Sequence, residues 1–202
     1  MPKVVENIQL GLSACRIGLR KCWQWMRCHR PLVIVRDQYE VLCLGLSGAG
    51  KSTALATLVG ENIDNIEPTT GFNIKTLPLK ETVLDIKELG GADNVRPFWN
   101  RYFTGQHGLL YVVNAASDDD SLKLSLESLL TVLSDPAMKG IPCVILATHV
   151  DCSDSRTQHN LEQFFQSALH GRKWTIQMCS LQDNESIQNA LETLIDLMAY
   201  NV

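Results

Sequence analysis

No apolar run in this 202-residue chain approaches the roughly 20 residues that a membrane-spanning helix needs. The residues after Met1 lack an apolar core followed by a small-residue cleavage site, so a secretory signal is not expected. Seven cysteines, an odd number without paired metal spacing, argue against a disulfide framework. Cys43 and Cys143 stand in apolar, strand-like runs and are expected to be buried and reduced. The five histidines, at 29, 107, 149, 159 and 170, show no metal spacing with acids or cysteines. There is no internal repeat of useful period. The expectation is a cytoplasmic protein whose only membrane contact is at its surface.

Hydrophobic residues make up 45% of the chain and charged residues 20%, ordinary for a globular protein with one substantial core. The net charge of −4 is unevenly spread. Residues 1–36 hold Lys3, Arg16, Arg20, Lys21, Arg27, Arg30 and Arg36 against Glu6 alone, so the remainder of the chain is strongly acidic. A basic arm on an acidic body suggests a segment with a task separate from the fold. The boundary is placed between an arm at 1–36 and a domain at 37–202.

From residue 39 onward strand-like and helical stretches alternate. The pattern predicts strands at 39–45, 72–79, 82–89, 108–115, 142–148 and 173–180. Helices are predicted at 51–59, near 119–134, at 157–169 and at 184–200. In the second of these helices the leucines at 122, 126, 129, 130 and 133 share a face. The two strands separated by Lys80 and Glu81 read as an antiparallel hairpin. The fold class is α/β: a mostly parallel six-stranded sheet with one antiparallel hairpin strand and helices on both faces.

The first strand runs into "GLSGAGKS", residues 45–52, a full match to G-x-x-x-x-G-K-[ST]. Gly45, Gly48 and Gly50 let the loop wrap a phosphate with its N–H groups inward, and the following helix adds its positive end. Lys51 supplies charge to the β and γ phosphates, and the Ser52 hydroxyl can ligate Mg²⁺. Ser47, Ala49 and Thr53 complete the loop and its first helical turn.

With this loop placed, "PTTGFNI" (68–74), "GGADNVRPFWNRYF" (90–103) and "GLLYVVNAAS" (108–117) resemble the two switch regions and the fourth strand of ADP-ribosylation-factor-like small GTPases. The resemblance implies a GTP-binding G domain with GTP or GDP and Mg²⁺ as ligands. By that resemblance Thr69 would bind Mg²⁺ and sense the γ-phosphate, with Thr70 as the alternative. Gly91 would bond the γ-phosphate through its N–H. Asp151 would accept from the guanine edge, and Ser180 and Leu181 resemble the last base-contacting loop. The family's effector face would fall on Phe72, Lys87 and Tyr102, with Trp99 a packing residue.

Several positions depart from the family pattern. Ala92 follows the glycines where a Gln orients the attacking water, which implies binding without efficient hydrolysis. Glu88 stands where an Asp is usual and would reach Mg²⁺ through water. Asp85 is a poor substitute, since an offset of three turns it to the other face of the strand. The base motif reads "THVD": Thr148 in place of Asn loses an amide tie to base and phosphate loop, while His149 either stacks on the purine or is a solvated loop residue. Lys87 replaces a Trp and would select different partners.

Pro2 occupies the place of the glycine that the family often myristoylates. Cys15, Cys22 and Cys28, among basic residues with Trp23 and Trp25, suit instead an interfacial helix held by S-palmitoylation. A flexible or core-packed N-terminal helix with incidental cysteines is the alternative. The expected partners are effectors read through the switches, an exchange factor, an activating protein and a membrane surface (Golgi, other endomembrane or plasma membrane), with no nucleic acid. Two functions remain open at this point: a slow-hydrolysing switch, or a pseudo-GTPase scaffold.

Overall fold

The computed structural model describes residues 37–64, 66–79 and 82–199. The basic arm, with Cys15, Cys22 and Cys28, lies outside the described residues, as do the hairpin residues 80 and 81.

The strands are β1 (Asp37–Leu44), β2 (Phe72–Pro78), β3 (Thr82–Leu89), β4 (Gly108–Asn114), β5 (Cys143–Thr148) and β6 (Trp174–Met178). They form one sheet in the order β2-β3-β1-β4-β5-β6. Every neighbouring pair is parallel except β2 and β3, which run antiparallel from Phe72 opposite Leu89 to Pro78 opposite Val83. The helices are α1 (Lys51–Val59), α2 (Asp119–Ser134), α3 (Gln158–Phe165) and α4 (Asn184–Ala199), with 3₁₀ turns at Arg96–Tyr102 and Pro136–Met138.

β4 and β5 are almost wholly apolar because the sheet is covered on both sides. Alternate residues feed two cores. Leu42, Leu109, Tyr111, Val113 and Ile145 pack with α2, α3 and the first 3₁₀ turn. Val41, Cys43, Leu84, Leu110, Val112 and Leu146 pack with α1 and α4. The same alternation puts Glu88 on the α1 side of β3 and Asp85 on the other, where Asp85 accepts from Gln38 and Thr76.

Two expectations need correction. Leu130 is 45% exposed, and Ser125 and Val132 join Leu122, Leu129 and Leu133 in the buried face of α2. At about 100° per residue, position 130 falls off the arc centred between 122 and 129. α3 spans only Gln158–Phe165: Thr157 is its cap, accepting from Asn160 N, and the chain leaves the α-helix by Gln166. α2 is closed at both ends by side chains. Asp118 accepts from Ser121 N at its start, a bond that lowers the Asp118 pKa. Arg172 donates to the Leu133 and Met138 carbonyls at its end.

Candidate functional site

At the carboxyl ends of β1 and β3 a cleft of about 260 Å³ opens between the loop 45–52, the segment 66–70 and the residues after β3. Its walls include Ser47, Gly48, Gly50, Lys51, Ser52, Thr53, Thr69, Thr70, Gly91, Ala92, His149 and Leu181. Among the predicted nucleotide- and metal-site residues, Gly45, Ala49, Glu88, Thr148, Asp151 and Ser180 are not part of that lining. Gly45, Ala49 and Thr148 are buried behind it, Ser180 is half-buried, and Asp151 is exposed.

The loop begins where β1 ends and α1 starts, and left-handed backbone at Gly48 (φ 74°) and Gly50 (φ 88°) turns it around the cleft. Lys51 is 5% exposed and donates to the Gly45 and Leu46 carbonyls at 2.9 and 2.8 Å. Burial pushes the Lys51 pKa below its ordinary value, against the opposing pull of Cys43 and Glu88. Beneath it Cys43 is fully buried, and desolvation, reinforced by Glu88, keeps its thiol protonated. Cys143 is also free and buried, its pKa pushed up to about 12 by desolvation.

At the far end, three oxygens from three elements meet. Ser52 Oγ donates to Glu88 Oε1, Thr69 Oγ1 lies 3.2 Å from the same oxygen, and the hydroxyls are 3.1 Å apart. Thr69 is therefore the threonine that reaches into the cluster, while Thr70 is exposed. Glu88 is 1% exposed, and its second oxygen, Oε2, has no hydrogen-bond partner among the described residues. An orphaned buried carboxylate oxygen beside two hydroxyls is a donor set suited to a hard divalent cation such as Mg²⁺, which prefers few protein oxygens and completes its shell with phosphates and water. Among the described residues no trio of His, Cys, Asp or Glu could hold a metal.

The double glycine approaches the protein's own backbone on two sides. A Cβ on Gly90 would lie 2.2 Å from the Thr69 carbonyl oxygen; one on Gly91 would lie 2.2 Å from Gly45 O and 2.5 Å from Ser47 N. Gly90 N donates to Gly71 O, Ser47 N donates to Gly91 O, and the indole of buried Trp99 donates to Gly90 O at 2.9 Å. Trp99 thus packs, as expected, and also pins the glycine peptide, a contact invisible in a nine-residue separation of the sequence. Ala92 lines the cleft with a methyl group alone.

At the other end, Thr148 is fully buried and its hydroxyl lies 2.8 Å from Ala49 O, 3.1 Å from Val113 O and 2.8 Å from His149 Nδ1. The expected loss of a tie to the phosphate loop is corrected here: the threonine hydroxyl makes that tie. One hydroxyl carries one hydrogen, so it donates to one of the two carbonyls, and it accepts from His149 Nδ1–H in the tautomer that carries the proton there. His149 holds a left-handed backbone (φ 58°), the only such non-glycine among the described residues, and a Cβ on Gly50 would meet its ring at 3.5 Å. Thr57 bonds Leu181 O, fastening the last loop to α1. Arg156, which sequence reasoning missed, reaches Ala115 O, Ser117 O and Asp119 and braces the loop after β5 against the start of α2. Phe72, 56% exposed, and Tyr102 meet with ring centroids 5.6 Å apart and their planes tilted by 47°, and Lys87 pairs with Glu40.

Residues 26–198 match the model of the ADP-ribosylation factor family. The chain is 36% identical over 179 residues to ADP-ribosylation factor-like protein 15 of Homo sapiens, covering 88% of this chain and 87% of that protein. It is 33% identical over 167 residues to ADP-ribosylation factor-like protein 3 of Chlamydomonas reinhardtii, covering 82% and 94%. The fold matches the structure of the Arl6 (BBS3) small GTPase of Trypanosoma brucei with bound GppNp at a TM-score of 0.74, with 17% identity, 82% of this chain and 100% of that one.

Proposed function

The chain belongs to the ADP-ribosylation factor family, and from that premise we propose that it is a guanine-nucleotide switch whose intrinsic GTP hydrolysis is impaired. The observation that carries this reading is the closure of Thr69 and Gly91 onto the phosphate loop beside a cleft that Ala92 lines with no polar group.

Lys51 and the loop N–H groups bind the phosphates. Ser52 and Thr69 would hold Mg²⁺ with the phosphates, and the cation, when bound, neutralises charge on the β and γ oxygens. His149, with its ring fixed by Thr148 against Gly50, forms the purine side of the site with Leu181. Asp151 and Ser180 select guanine from the loops beside it. Thr69 and Gly91 respond to the γ-phosphate, and an effector reads the result on Phe72, Tyr102 and the Lys87–Glu40 pair. An exchange factor loads the site, and an activating protein supplies the group that Ala92 lacks.

Single-turnover hydrolysis by GTP-loaded protein tests the impairment. Ala92→Gln should hydrolyse at least ~10-fold faster than wild type, below the ~10²–10⁴-fold that a well-placed proton-transfer group contributes, because Glu88 also departs from the family pattern. An unchanged rate would show that Ala92 is not what limits turnover.

The basic arm supports a cytoplasmic protein peripheral to a membrane, fastened through acylated Cys15, Cys22 and Cys28. Two lipid chains, or one with a basic patch, are needed for stable anchoring. Changing all three cysteines to Ser should move the protein into the soluble fraction on cell fractionation; retention on membranes would remove acylation as the anchor.

A further inference from the structure

The meeting of Ser52, Thr69 and Glu88 has a geometry that a water-bridged carboxylate does not require. One oxygen, Glu88 Oε1, lies within hydrogen-bond reach of both hydroxyls, and the hydroxyls are 3.1 Å from each other. The three oxygens come from the first turn of α1, the segment before β2 and the end of β3, so the cluster is assembled by the fold and not by neighbouring residues. Mg²⁺ demands near-octahedral coordination at about 2.0–2.1 Å, which puts adjacent ligand oxygens about 2.9 Å apart. Two of the triangle's edges, 3.1 and 3.2 Å, lie near that spacing, and the third joins Ser52 Oγ to Glu88 Oε1 by a hydrogen bond. Glu88 is 1% exposed with Oε2 unpartnered, an arrangement that is expensive for an ionised carboxylate without a cation beside it. An aspartate at this position would stand back by one methylene, leaving space for a water between carboxylate and metal.

We propose that Glu88 ligates the divalent cation directly, together with Ser52 and Thr69, and replaces one of its waters. This rests on the guanine-nucleotide reading of the cleft. With the β and γ phosphates supplying two oxygens, three protein ligands leave one position for water. Two protein ligands leave two. The longer side chain is then a change in how tightly this chain holds its metal.

The experiment uses the full chain loaded with a non-hydrolysable GTP analogue and Mn²⁺ in ¹⁷O-enriched water, with bound waters counted by electron paramagnetic resonance. One bound water is expected in the wild type and two in Glu88→Asp, with Mn²⁺ held about 10-fold more weakly by the variant. Two waters in the wild type overturns direct ligation whether or not the variant folds, and leaves the nucleotide reading standing. An equal count in both folded proteins overturns it as well. Failure of the wild type to retain analogue and Mn²⁺ at all removes the nucleotide reading, and this inference with it.

Discussion

Gly91→Ala should weaken binding of a non-hydrolysable GTP analogue about 100-fold while leaving GDP affinity within about threefold, equivalent to a loss of roughly 2.7 kcal/mol in one nucleotide state only. The collision is with backbone: an added Cβ would lie 2.2 Å from Gly45 O, 2.4 Å from Leu46 C and 2.5 Å from Ser47 N. No rotamer change relieves contacts of that kind, so the segment after β3 must withdraw from the phosphate loop. Withdrawal breaks the bond from Ser47 N to Gly91 O and pulls on Gly90, which is held by Gly71 and Trp99. The γ-phosphate contact needs this segment in place, whereas a diphosphate ends before reaching it. Hydrogen bonds to charged groups contribute about 1.5–3 kcal/mol each, which sets the size of the effect. Titration of nucleotide-emptied protein with both ligands decides it. Equal losses for GDP and the analogue would mean a damaged phosphate loop, and no loss would mean that Gly91 has no part in sensing the third phosphate.

The parts of the fold that were readable from sequence are those written in local chemistry. Strand β3 and helices α1 and α2 begin and end where expected because Gly50 and Gly60 bound α1, Asp118 caps α2 and Asp135–Pro136 stops it. Boundaries blurred where no such residue stands, as in α3, whose apolar pattern continues through Ala168 and Leu169 although the α-helix has ended. The phosphate loop was legible for the same reason: one contiguous string holds most of its chemistry. The rest of the site depends on pairs far apart in the chain. Thr148 reaches Ala49 across 99 residues, Arg156 reaches Asp119 across 37, and Ser52 reaches Glu88 across 36. Periodicity and motif spacing carry no information about such pairs, which is why the sequence alone reads Thr148 as a lost tie and does not single out Arg156. The choice between Thr69 and Thr70 was open for the same reason, since only the approach of Glu88 distinguishes two neighbouring hydroxyls.

Lys51→Ala should weaken both GTP and GDP by about 1,000-fold or more, and so separates a switch from a scaffold. An ammonium carries three hydrogens. Two of those on Lys51 go to the Gly45 and Leu46 carbonyls, which fixes the curvature of the loop and leaves the third for an anion in the cleft. The side chain is almost wholly buried, and desolvation lowers its pKa, a shift that the buried Glu88 carboxylate opposes. Alanine removes the cation and the two props together, a loss of about 4 kcal/mol from interactions of roughly 1.5–3 kcal/mol each. Isothermal titration with GTP, GDP and ATP, with thermal melting to confirm that the variant is folded, gives the answer. Tight wild-type binding of the guanine nucleotides, rejection of ATP and loss of both affinities in the variant is the pattern of a switch, and its nucleotide-dependent partners should then be lost with them. Wild-type protein that binds none of the three, and a variant that keeps every partner, would mean that the loop survives only as architecture. In that case Lys51 matters for the bend it holds between β1 and α1, and the alanine variant should show its effect in the melting temperature alone.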